Sequence, residues 1–394
     1  MPTKTRPALI LSALTILAVQ SAAASSASSH PVSAPVVLSP AVAAEYVRPH
    51  TLVDIGRRKL NLFCMGSGPV TVLFESGVSD WSVTWALVQP AVARSARACS
   101  YDRAGMGYSD SERGPRSPFA VADDLHKLIQ ASGITQPLIL VGHSLGGFNM
   151  KLYSALWPEG VAGLILIDPA EERDSDRSRA FITQGWGRKV AAQSELSGQR
   201  FLSGLINRYQ VCAENAERAP LDPESIDYRR CTDPVRPALG PIIASERSVL
   251  QRTGRYQRAQ ASEIAFSIYG DARPNEAYAN LFKPGLLGGK PLIVMTVKEE
   301  DATDPMEAAD LAAGDRLHGE TALLSTAGCV EPVTDTSHNI QIDRPDVIIN
   351  AVNRMIKQVS KAQTGRQKLS LRGQAGSLGR PLVGRAAAPR CVIR

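Results

Sequence analysis

Short apolar runs bounded by turn residues recur along the middle of the chain: Val70 to Phe74, Ala98 to Tyr101, Leu138 to Val141, Leu164 to Ile167, Leu292 to Val297 and Val330 to Val333. Runs this short and this rich in β-branched residues read as buried strands rather than helices. Upstream, Thr51 to Ile55 and Lys59 to Cys64 flank Gly56-Arg57-Arg58, the pattern of a hairpin. Helical spacing fills several intervals. Ser117-Pro118 leads into Val121, Leu125, Leu128 and Ile129, which is an N-cap, a proline in the first turn and an apolar stripe. Asp346 to Val359 carries a second stripe of Val347, Ile348, Ala351, Val352, Met355 and Ile356. Alternating strands and helices predict an α/β fold with a mostly parallel central sheet flanked by helices on both faces.

The alternation stops between Asp168 and Lys290, where Arg, Glu, Gln and Ser dominate around helical fragments such as Phe201 to Tyr209 and Glu246 to Gln260. Leu292 to Val297 then resumes the strand pattern. The stretch therefore reads as a helical cap inserted into one domain, with core at 45–168, cap at 169–290 and core again at 291–360. Residues 1–24 run from Lys4 and Arg6 through an apolar stretch, Ala8 to Val19, to Ser21-Ala22-Ala23-Ala24, the order of a secretory signal. That stretch is shorter than the roughly twenty residues a spanning helix needs, so export to the periplasm or outside the cell is expected, without a stable membrane anchor. Residues 25–44 read as a flexible leader.

Charge changes the picture only at the end of the chain. The formal +6 is concentrated in residues 361–394, which hold eight Lys or Arg and no acid. Without the tail and the signal, 34 basic residues face 38 acidic ones, which offers no nucleic-acid surface. The tail lacks hydrophobic periodicity and is expected to stay disordered, so a chain ended near Gln363 should keep its stability. Six cysteines suit an oxidising compartment. No C-x-x-C or H-E-x-x-H is present, and neither metal nor cofactor is expected.

The chemistry concentrates at Gly142-His143-Ser144-Leu145-Gly146-Gly147, directly after a strand and at the start of a helical pattern. A serine on such a sharp turn is lifted into the open, and small residues are needed at 142 and 146. The N–H of Leu145, at the positive end of the helix, then faces the place where an oxyanion would form. A serine hydroxyl needs a base. Two histidines follow Ser144: His318, in the polar Asp315-Arg316-Leu317-His318-Gly319-Glu320, reads as solvated, and His338 follows the last strand. His143, the neighbour of Ser144, should point away from the hydroxyl. Trp81 and Trp85 read either as pocket lining or as core.

From about Thr51 to Val359 the chain resembles the α/β-hydrolase family. The likeness is carried by G-H-S-L-G-G at 142–147, by Tyr101-Asp102-Arg103-Ala104-Gly105-Met106-Gly107-Tyr108-Ser109, by Glu75-Ser76-Gly77-Val78 and by Ser337-His338-Asn339. The resemblance implies a Ser-His-Asp triad of Ser144 as nucleophile, His338 as base and Asp301 as acid. Asp301 lies in Glu299-Glu300-Asp301-Ala302-Thr303-Asp304-Pro305, one residue longer than the family loop, which leaves Glu299 and Glu300 open and makes Asp168, directly after the preceding strand, the alternative acid. Val78 would supply the second oxyanion donor beside Leu145. The implied activity is hydrolysis of a small-molecule ester, less expected an amide, through an acyl-enzyme. A peptidase acting on short peptides, or an idle binding protein on the same fold, are the alternatives. A serine at 144 argues against the branches that use a carboxylate nucleophile. The sheet order of similar hydrolases implies a Cys64–Cys99 disulfide, and by the same logic Cys212–Cys231, leaving Cys329 as the one partner that would tie down Cys391.

Overall fold

Hydrophobic alternation becomes two packed layers around one sheet. The computed structural model describes residues 38–112, 114–134, 137–172, 175–270, 275–298, 302–370 and 389–391. The expected signal and most of the leader lie outside the described residues. The leader's end does not: Ser39 Oγ caps a short helix, Pro40–Glu45.

The strands are β1 (Thr51–Asp54), β2 (Lys59–Met65), β3 (Thr71–Glu75), β4 (Arg97–Tyr101), β5 (Leu138–His143), β6 (Val161–Ile167), β7 (Leu292–Val297) and β8 (Gly328–Val333). They form one eight-stranded sheet in the order β1-β2-β4-β3-β5-β6-β7-β8. The hairpin of β1 and β2 is antiparallel, as is β2 against β4, and the pairings from β4 through β8 are parallel. Within β5, Leu138 and Leu140 pack on one face with the helix Pro118–Ala131, while Ile139 and Val141 pack on the other with Ile348, Val352 and Met355 of the helix Pro345–Ser370. Both faces are covered, which is why the runs read as continuously apolar. Trp85 is core, against Phe74, and Trp81 is buried beside Met106 and Tyr256.

Between β6 and β7 the chain leaves the sheet for helices. The longest, Arg188–Arg218, packs along Gly254–Phe266, and a disulfide joins Cys212 to Cys231. The expected Glu246–Gln260 helix is two, Gly240–Gln251 and Gly254–Phe266, because Thr253 Oγ1 caps the second. Cys64–Cys99 bridges the directly opposed residues of β2 and β4.

The C-terminal tail departs from its reading. The last helix continues past Lys361 to Ser370, and Pro389–Cys391 return to the outer edge of β8. There Val330 N donates to Pro389 O at 3.1 Å, Cys391 N donates to Val330 O at 3.1 Å, and Cys391 is bonded to Cys329. Composition favours an unattached tail; a covalent tie and an edge strand with free backbone groups hold its tip down. A loop of this size closed by a disulfide is worth about 2–4 kcal/mol. Cys391→Ser, and a chain ended at Gln363, should therefore both lose about that much in urea unfolding; equal midpoints for truncated and full-length chains would show the staple to be idle.

Candidate active site

Ser144 alone makes the turn between β5 and the helix Leu145–Leu156, with φ 53° and ψ −123°. A left-handed backbone at a residue with a side chain is strained and survives only where its surroundings dictate it. Ser144 N donates to Ile167 O at 3.0 Å, and Ser144 O accepts from Ala170 N at 2.9 Å and Phe148 N at 3.2 Å. The glycines permit the close approach. A Cβ on Gly142 would sit 2.4 Å from Gly146 O, and one on Gly146 would sit 2.4 Å from Ser76 O. The Ser144 hydroxyl is buried, with no hydrogen-bond partner among the described residues.

His338 stands in the turn after β8. Its Nδ1 lies 2.5 Å from Asp168 Oδ2, so the carboxylate holds the proton on Nδ1 and leaves the lone pair on Nε2. Nε2 is buried and, like Ser144 Oγ, unpartnered. Asp168 is the first residue beyond β6, at φ 41°, with its N–H on Met295 O (2.8 Å) and its Oδ1 accepting from Val297 N (3.4 Å). Burial pushes its carboxyl upward, but the hydrogen bond and charge of His338, with lesser help from His318 and Val297, hold it below the usual carboxylate range. Asp301, with Glu299 and Glu300, lies outside the described residues. Asp304, from the same stretch, caps the helix Pro305–Ala322 through bonds from Met306 N and Glu307 N.

Two further histidines frame this pair. His143 Nε2 meets His338 O at 2.8 Å, and its Nδ1 accepts from Gln341 Nε2 at 3.2 Å. Burial and the neighbouring His338 drive its pKa down to about 3, so it is neutral and grips the backbone of His338. His318, read as solvated, is buried instead: Nδ1 pairs with Thr296 Oγ1 at 2.9 Å and Nε2 with Pro169 O at 3.0 Å. The helix bearing it packs on β7, turning this one ring inward.

Leu145 heads a 12-residue helix, so its N–H is among those left free at the positive end. Gly77 presses against the elbow: a Cβ there would lie 3.2 Å from Ser144 Cβ. Val78 follows it, and among the described residues no acceptor takes the Val78 N–H. Below, Ser76 Oγ is braced by Trp81 O (2.8 Å) and Trp85 Nε1 (3.1 Å), while Arg103 donates to Ser76 O (2.6 Å) and Gly77 O (2.7 Å). Among the described residues no cluster of His, Cys, Asp or Glu fits a metal ion.

The fold matches known proteins. The family model described as alpha/beta hydrolase fold matches residues 70–215. The crystal structure of DBJA superposes with a TM-score of 0.53 at 18% identity, covering 79% of this chain and 97% of that one. The chain thus has the α/β-hydrolase fold. A 2-(acetamidomethylene)succinate hydrolase of Mesorhizobium japonicum is 25% identical over 80% of this chain and 99% of its own length. The uncharacterized protein YqjL of Bacillus subtilis is 31% identical over 30% of this chain and 52% of its own length. Of three of the curated relatives it matches, the chain spans only 20% to 52% of the length.

One buried acid beneath the elbow carries a pH signature. Glu75 is the last residue of β3, wholly buried, with Asn149 Nδ2 at 2.7 Å and Arg103 Nη1 at 3.6 Å. Burial outweighs both and raises its pKa from 4.5 to about 7. The folded protein therefore binds a proton that the unfolded chain releases between those two values, and stability falls as pH rises from 4.5 to about 7. Glu75→Gln, which keeps the neutral shape, should flatten that part of the profile in urea unfolding. A profile as steep as wild type would assign the pH dependence elsewhere.

Proposed function

We propose that the protein is an exported serine hydrolase that cleaves a carboxylic ester through an acyl-enzyme. The reading is carried by one arrangement: an imidazole whose Nδ1 is tied to a carboxylate and whose Nε2 is buried without a partner, next to an elbow serine equally without one. The rings of His338 and His143, the residue before Ser144, have centroids 4.7 Å apart, which puts base and elbow side by side. Nucleophile–base hydrogen bonds are often long before substrate binds. The chain order of Ser144, Asp168 and His338 agrees with the serine, acid, histidine order of similar hydrolases.

In this reading Ser144 Oγ attacks the ester carbonyl carbon as its proton passes to His338 Nε2. Asp168 stabilises the imidazolium and keeps its tautomer, and the oxyanion accepts from the N–H groups of Leu145 and Val78. His338 then protonates the departing alcohol. Water, deprotonated by the same nitrogen, releases the acid and restores the serine. Asp168 takes the acid's role in preference to Asp301 because it already occupies Nδ1, the one ring nitrogen that needs it. The relative named as a hydrolase and matched over 99% of its length supports hydrolysis. Export is supported by the signal-like start of the sequence and by three disulfides. No helix among the described residues is long and apolar enough to cross a membrane.

A fluorophosphonate probe should label wild type at Ser144, and Ser144→Ala or His338→Ala should lower p-nitrophenyl butyrate turnover by about 10⁴-fold or more in folded protein. Absence of labelling would favour a binding protein, and faster cleavage of aminoacyl-anilides a peptidase. Asp168→Asn should cost about 10⁴-fold by mis-setting the tautomer, and Asp301→Asn little. The reverse order would transfer the acid's role to Asp301.

A further inference from the structure

The segment Ser76–Asp80, which carries the Val78 donor, is held largely from outside the sheet. Arg103, 2% exposed, binds its first two carbonyls, and the rest of that guanidinium is gripped by Glu263, with Nε to Oε1 at 2.6 Å and Nη2 to Oε2 at 2.9 Å. Glu263 Oε2 also accepts from Ser79 N at 3.2 Å. Tyr256 Oη donates to Ser79 O at 2.6 Å. Asp80 accepts from Arg236 and Arg247, each at 2.6 Å. Glu263, Tyr256, Arg236 and Arg247 all belong to the helical region between β6 and β7.

Ser79 sits at φ 61°, a conformation its own side chain disfavours. Both the N–H and the C=O of that residue are fixed by cap side chains, and Val78 lies between it and a Gly77 whose carbonyl is fixed by a guanidinium that the cap neutralises. The direction of the Val78 N–H is thus set by the cap's seating. Resting on the serine-hydrolase reading above, we propose that the cap assembles the oxyanion loop, with Glu263 as a positioning residue acting through Arg103 and Ser79. This goes beyond covering the substrate. It makes the helical region part of what places the transition-state donor.

Glu263→Gln tests it. The amide keeps the volume, but whichever way round it sits its NH₂ opposes an Arg103 donor, Nε or Nη2, so the two-point grip on Arg103 is lost while the buried shape remains. An oxyanion donor acts in the transition state, so kcat should fall with KM nearly constant. One such donor is worth about 10²–10³ in kcat, and a misdirected one should cost about 10- to 100-fold. In the full chain with p-nitrophenyl butyrate, we expect that loss in kcat, a lowered but still cooperative melting transition and a parallel loss of affinity for phenylboronic acid, which forms a tetrahedral adduct on a nucleophilic serine. Tyr256→Phe, which removes only the bond to Ser79 O and its lesser side-chain partners, should move the same readouts in the same direction, and it decides the matter if Glu263→Gln does not fold. Folded variants with unchanged kcat and boronate affinity would overturn the proposal, as would a rise in KM with kcat retained. A wild type that fails to label with fluorophosphonate overturns the serine-hydrolase reading and this proposal together. A labelled wild type beside unaffected variants overturns this one alone.

Discussion

The contact between the backbone of Gly146 and the end of β3 constrains everything else near Ser144. With a Cβ at Gly146 only 2.4 Å from Ser76 O and 2.5 Å from Glu75 O, the helix after the elbow can seat itself only if position 146 has no side chain. That seating forces the turn at Ser144 into the left-handed region. It also places the start of the Leu145–Leu156 helix beside the loop that leaves β3. The proposed nucleophile and both proposed oxyanion donors therefore follow from one close approach, of the helix after β5 to the end of its parallel neighbour β3.

Parallel pairing explains why the proposed acid is ambiguous in sequence and the proposed base is not. β6 and β7 are neighbours that run the same way, and Asp168 N bonds Met295 O across them. The residues directly after the two strands, Asp168 and Lys298, thus leave the same edge of the sheet, and pattern alone does not separate Asp168 from Glu299, Glu300 and Asp301 in the sequence. What distinguishes Asp168 is its φ of 41°, which turns the carboxylate back over the strand ends toward His338. No propensity reports that angle. His338, by contrast, is the one histidine after the final strand, and its position follows from strand counting.

Legibility fails where partners come from different elements. The strands, the hairpin, the capped helix Pro118–Ala131 and the Ser144 elbow are set by periodicity and turn chemistry within a few residues, so local reading finds them. His318 sits in a polar run, and its burial depends on Thr296 and Pro169 from elsewhere in the chain. Glu263 is one carboxylate among the many charges of its region. Its signal was not in its own helix but in Arg103, an arginine in a glycine-rich loop that needed a buried counter-ion. Cys391 lies on the border of this limit, since elimination among the six cysteines names Cys329 as its partner while the composition around it describes only an unattached tail.

Charge balance around Arg103 joins these parts. One guanidinium lies between two buried carboxylates, Glu75 from β3 and Glu263 from the cap. Three ionised groups there would leave an uncompensated buried negative charge, which is expensive. Glu75 relieves it by holding its proton up to about pH 7. The pairing of Arg103 with Glu263 is then one to one, and the cap's carboxylate, being the closer and bidentate partner, carries it. Glu75 is left as a neutral hydrogen-bonding group under the nucleophile helix, bound to Asn149. Sheet, loop and cap thus meet at a single arginine, which touches Glu75, Glu263 and the carbonyls of Ser76 and Gly77.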